Sequence, residues 1–236
     1  MTLEEILKTL EKTGSPQTRK TYATHGVTGE MFGVSFATYK DLAKKIKVDH
    51  ELAKSLWKTG NHDARILATF VGDPKQADAK LLEAWIRDVN VYVLSDALAR
   101  FATHSPAAIE LMKKWIKSPD EWYSSTGYSL LANLIGENLI DDEFLESHLD
   151  VIEKQIHKQP NRTRYSMNNV VIQIGLRPKL EKKAIAAAKK IGAVEVDHGL
   201  TNCKTPDAID YIAKTKAYRA TKAAKKPSPK KKSAKA

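Results

Sequence analysis

Apolar residues return every three or four positions along most of this chain, as in Ile109, Met112, Trp115 and Ile116, and that spacing predicts amphipathic helices. Start signals precede these runs. Thr2 with Glu5 forms a capping box, while Ser15-Pro16, Ser105-Pro106 and Ser118-Pro119 each set a capping hydroxyl ahead of a proline suited to the first helical position. Asp49 stands before ELAKSLWK, Asn90 before VYVLSDALARF and Asp141 before DEFLESHLDVIEKQI, and His62 with Asp63 opens the helix that carries ARILATF. Strand-like alternation is confined to VEVD at 194–197. The pattern predicts an all-α chain of about twelve helices, each of about ten to fifteen residues.

The helices come in pairs that repeat. LWKTGNHDARILA from Leu56, AWIRDVNVYVLSDALA from Ala84 and KWIKSPDEWYSSTGYSLLA from Lys114 share one plan: a Trp closes a helix, a polar turn follows, and a second helix ends on Leu-Ala. Trp57, Trp85 and Trp115 are spaced by 28 and 30 residues, and Ala68, Ala99 and Ala132 by 31 and 33. One helix pair cannot bury its apolar faces alone, so pairs at such a period stack into a curved superhelix with a concave side. The three tryptophans are then structural, filling the space between successive units.

Composition changes the picture at one end. Of the 39 Lys and Arg residues, ten lie in 214–236, where Asp and Glu are absent. Residues 1–213 therefore hold 29 basic against 28 acidic groups and are nearly neutral, although the net charge is +11. The boundary predicts a solenoid domain over 1–213 and a disordered Lys-rich tail over 214–236, too poor in large apolar groups to offset its ordering entropy. Such a tail binds polyanions weakly and in a salt-sensitive way, or simply keeps the chain soluble. No apolar run approaches the roughly 20 residues that span a bilayer, and the acidic start MTLEEILKTLEK reads as a first helix rather than a secretory signal. The single Cys203 fits a reducing cytoplasm, and a cytoplasmic monomer is the expectation.

Candidate chemistry is sparse. In VYVLSDALAR, Tyr92 and Asp96 are four apart and share a helix face. Arg100, four further on, offers Asp96 an ordinary surface ion pair as the alternative. In NRTRYSMN, Arg162 and Arg164 flank a helix start beside Tyr165, a composition suited to phosphate. Lys179, Lys182, Lys183, Lys189 and Lys190 read as a solvated helix face. VDHGLTNCKTPD brings Asp197, His198 and Cys203 together, but a structural metal site wants more cysteines, so it reads as a turn before the last helix. No metal or cofactor is expected, and nucleotide-binding glycine motifs are absent.

Taken in order and spacing, WIRDVNVYVLSDALA, EWYSSTGYSLLANL and RYSMNNVVIQIGLR resemble the DNA alkylation repair family of HEAT-like (AlkD-like) glycosylases, over roughly residues 5–213. The resemblance implies an α/α superhelix of HEAT-like repeats that binds DNA and excises bulky or N3- or N7-alkylated cationic purines without a metal or cofactor. Asp96 falls on the family's catalytic aspartate and Tyr92 on the first of its active-site tryptophans. The family's arginine falls at about Ser125 and its second tryptophan near Asn169, so one group is kept, one is exchanged for another aromatic and two are lost. These departures bear on catalysis more than on DNA binding. The rival expectation is a DNA-binding or protein-scaffolding solenoid that kept the fold and lost the chemistry.

Overall fold

The computed structural model describes residues 1–224, and among them thirteen α-helices follow one another with no strand. They are α1 (Leu3–Thr13), α2 (Pro16–Thr24), α3 (Phe36–Ile46), α4 (His50–Lys58), α5 (His62–Val71), α6 (Ala79–Ile86), α7 (Tyr92–Ala102), α8 (Ala108–Trp115), α9 (Glu121–Gly136), α10 (Asp142–Gln155), α11 (Asn161–Gly175), α12 (Glu181–Ile191) and α13 (Ala208–Ala224). From α3 onward the odd-numbered helices form one row and the even-numbered helices from α4 a second, so consecutive pairs build a HEAT-like superhelix. No described helix is long and apolar enough to cross a membrane.

Local capping chemistry sets most helix starts. Thr2 and Glu5 make both halves of a capping box, and Ser15, Asp49 and Asp141 accept from the first-turn amides of α2, α4 and α10. Three expected caps fall elsewhere. Asp120, two residues past Ser118, takes the Trp122 and Tyr123 amides, because a carboxylate competes better for two donors. Ser105 instead donates to the Ala77 carbonyl at 2.5 Å and accepts from Ala107, a turn that delays α8 to Ala108. Asn90 stays exposed, and α7 begins without a side-chain cap.

The inner row packs through small residues. Ser95 meets Thr126 at 2.8 Å and Ser124 meets Thr163 at 2.7 Å, hydroxyl to hydroxyl, so α9 lies close against both α7 and α11. A Cβ at Gly127 would stand 2.7 Å from the Ile116 amide nitrogen, so α9 also crosses the end of α8 at backbone distance. The tryptophans fill the wider spaces, as expected. Trp57 stacks on Trp85 at 4.3 Å with parallel planes, Trp85 packs on Phe101, and Trp115 is fully buried. Two of their N–H groups find carboxylates: Trp57 donates to Asp88 at 2.8 Å and Trp115 to Glu83 at 3.0 Å.

Asp63 does more than open α5. It is fully buried and accepts from the amides of Phe32, Gly33 and Val34 and from the Tyr39 hydroxyl, at 2.6–3.1 Å. The carboxylate thus pins the 32–34 turn and α3 to α5, and its burial is offset by four donors.

Two expectations are corrected here. VEVD at 194–197 is a loop: Val194 and Val196 pack on the core from the α12–α13 connection, which gives a two-residue period without strand pairing. The basic tail is also shorter than expected. Residues 214–224 continue α13, anchored by buried Ala208 and Ile212, and the rest of the run lies outside the described residues. Ala, Lys and Arg are good helix formers once the first turns are held. On the outer row, Lys183 and Lys190 pair with Glu146 and Glu153 of α10, a solvated face as expected.

Replacing Asp63 with Asn puts an amide N–H₂ against two of the four donors, since two share each carboxylate oxygen. It should cost about 3 kcal/mol of stability in urea unfolding, and a loss below about 1 kcal/mol would remove the clamp's importance. His148 provides a pH test. It is buried against Phe144 and Tyr128, its Nε2 has no partner, and burial lowers its pKa to about 4. The unfolded chain therefore binds this proton first, and stability falls as pH drops from about 6.5 towards 4. His148→Phe should flatten that part of the stability profile, by up to about 3 kcal/mol near pH 4.

Candidate nucleic-acid interface

The inner row lines a concave groove, and Asp96 stands on its floor. Asp96 and Arg100 of α7 separate two adjoining hollows. One, of about 500 Å³, is floored by Phe36, Phe70, Tyr92 and Val93 with Lys40 at its edge. The other holds Ser129, Asn133, Tyr165, Asn169 and Tyr211. Asp96 and Arg100 form no ion pair. The Asp96 carboxylate instead accepts from Ser129 Oγ at 2.8 Å, and that oxygen lies 3.2 Å from Ser166 Oγ. Solvent reaches Asp96, but protein surrounds it except at the groove mouth. This loss of bulk water raises its carboxyl above the usual carboxylate range, against the Ser129 hydrogen bond and the charges of Arg162 and Arg100.

Tyr92, one turn before Asp96, places its hydroxyl 2.5 Å from His25 Nδ1 at the end of α2. Its ring lies under the Arg162 guanidinium, 4.2 Å from carbon to ring centre, and Tyr165 lies 4.7 Å away on the same group. Burial raises both tyrosine hydroxyls, and Arg162 opposes that rise. Arg162 is held from behind: its backbone N–H donates to Glu121 Oε1 at 2.6 Å. Arg164 diverges from it, reaching only Asn161 Oδ1 at 3.4 Å and lining neither hollow.

One rim of the groove is walled. The inner helices α7, α9 and α11 all begin there, and the α12–α13 loop comes down beside them. Asn161 grips that loop in both directions, donating to the Asp197 carbonyl and accepting from its amide, each at 2.7 Å. His198 meets the Tyr165 ring edge-on and its Nε2 lies 3.0 Å from Thr205 Oγ1. Leu200–Cys203 then face Thr21, Thr24 and His25 across a shallow hollow, and Cys203 is exposed. Away from that rim, Arg100, Asn133 and Gln173 line the second hollow, with Pro206 of the same loop beside them.

The structure brings Tyr92, Asp96, Arg162, Tyr165 and Asn169 together and leaves Ser125 out. Ser125 is 2 % exposed, with its hydroxyl turned back to the Trp122 carbonyl, so it does not face the groove as expected. Sequence reasoning also missed Ser129, His25 and the aromatic floor of Phe36 and Phe70. A signal for Ser129 existed: Asp96, Ser129 and Ser166 are 33 and 37 residues apart, one repeat each.

A two-row helical solenoid with one open carboxylate on the floor of its concave groove defines the class of this protein as a HEAT-like repeat protein with a site on its inner face. The chain belongs to the DNA alkylation repair enzyme family, whose model matches residues 6–212. It is 32% identical to a solved protein described as one of a new family related to the HEAT-like repeat DNA glycosylases with affinity for branched DNA structures, with a TM-score of 0.86 over 93% of this chain and 95% of that one. Uncharacterised proteins of Listeria innocua and Listeria monocytogenes are 31% and 30% identical, each over 92% of this chain and 98% of the relative.

The hydrogen bond from Ser129 favours the ionised form of Asp96. In Ser129→Ala the Asp96 titration, followed by its carboxyl ¹³C shift, should move to still higher pH. An unmoved midpoint would mean that Ser129 does not set the state of this carboxylate.

Proposed function

We propose that this protein binds DNA in its concave groove and recognises branched structures. The observation that carries the reading is the make-up of the groove: Lys40, Arg100 and Arg162 come from α3, α7 and α11, and half-open aromatic faces lie between them. Cations from separate units can meet phosphates of more than one strand. Phe36 (43% exposed) and Phe70 offer apolar faces of the kind that cover bases left unstacked at a branch point. The branched-DNA affinity ascribed to the similar solved protein supports the same reading.

A second reading, excision of cationic alkylpurines, draws on Asp96 itself. An open carboxylate beside an aromatic ring can stabilise an oxocarbenium sugar and orient a water. Ser129 and Asn169 supply no substitute for a phosphate-anchoring arginine or a second tryptophan. The two readings part in one pair of assays. A four-way junction should bind roughly tenfold tighter than duplex of equal length at the same salt, and Lys40→Ala or Arg100→Ala should each reduce the salt slope by about one. Asp96→Asn should bind junctions as well or better, since a negative charge leaves the groove. Equal affinity for junction and duplex would sink the first reading; release of methylpurines by wild type, abolished in Asp96→Asn, would establish the second.

A further inference from the structure

Arg162 occupies a place whose chemistry selects a planar cation. Two aromatic faces, Tyr92 from α7 and Tyr165 from α11, flank its guanidinium at 4.2 and 4.7 Å, and the Asp96 carboxylate is near enough to be stabilised by its charge. Its Nε is buried and has no hydrogen-bond partner, and no carboxylate bridges the guanidinium. A planar cation between ring faces is attracted through their quadrupoles, more strongly where water is excluded. The Glu121 carboxylate fixes the backbone from which the side chain reaches. The slot therefore has an internal occupant.

We propose that Arg162 is the specificity-determining residue of the groove, an internal cation that fills the slot between Tyr92 and Tyr165 and closes the Asp96 site to planar cationic rings, a modified cationic nucleobase among them. Two cations cannot share the slot: they would overlap sterically and repel. The proposal rests on the groove being the DNA-binding site only for its biological meaning, since the slot itself is a property of the free protein. Aromatic faces and a carboxylate remain in place when Arg162 is shortened, so the slot becomes a receptor for an external cation.

The test uses the full chain and 1-methylnicotinamide, a permanently cationic planar ring, with uncharged nicotinamide as control. By titration calorimetry, Arg162→Ala should bind the cation roughly tenfold tighter than wild type does. Adding Asp96→Asn or Tyr92→Leu should erase the gain, and nicotinamide should gain nothing. No gain in Arg162→Ala, or an equal gain for nicotinamide, overturns the proposal. Arg162→Gln, which keeps the stem and loses the charge, answers the same question if Arg162→Ala does not fold. In wild type, the Arg162 side-chain protons should show upfield ring-current shifts that persist at saturating cation; displacement of those shifts would equally overturn it. Junction binding measured on the same proteins separates the two claims, because a cation gain without junction preference defeats only the proposed function.

Discussion

Unequal spacing between the two rows of helices is the constraint on which the rest of this structure depends. Inner helices meet through Ser95, Ser124, Thr126 and Thr163, whose size lets backbones approach, while Trp57, Trp85 and Trp115 hold the wider spaces. A stack narrower on one side than the other must curve towards the narrow side. The concavity is thus written in side-chain volume. The hydroxyl pairs serve a second purpose, since each of these four Ser and Thr residues satisfies its polar group against the neighbouring helix.

That close approach also composes the site. Asp96 belongs to one unit, Ser129 to the next and Ser166 to the third, and they touch because their helices do. The same geometry draws Arg162 over a tyrosine of α7. Asp96 and Tyr92 share one helix face, and the Arg162 guanidinium lies on the tyrosine ring.

Much of this was legible in the sequence wherever the cause is local. Thr2, Ser15, Asp49 and Asp141 cap helices because a side chain and an amide two or three residues on decide the matter. The Trp and Leu-Ala periods fixed the repeat, and four-residue spacing put Tyr92 beside Asp96. What escaped depends on distance along the chain. Asp63 has partners 24 to 31 residues away, which no local pattern reveals. Ser125 is buried because spacing along one helix does not say which of its faces meets the neighbouring helices. The Lys-rich end looked disordered by composition, yet Ile212 lies against Gly175 and starts a helix that good helix formers extend.

The walled rim gives the groove a direction. His25 and the loop held by Asn161 stand across the starts of α7, α9 and α11. A trough open at both sides admits a rod of any length and lets it slide. A trough with a back plate acts as an end stop: whatever enters must terminate, turn or divide within it. If the groove holds DNA as proposed, continuous double helix would meet that stop as an obstacle, whereas a strand that departs from its partner would meet it as a guide.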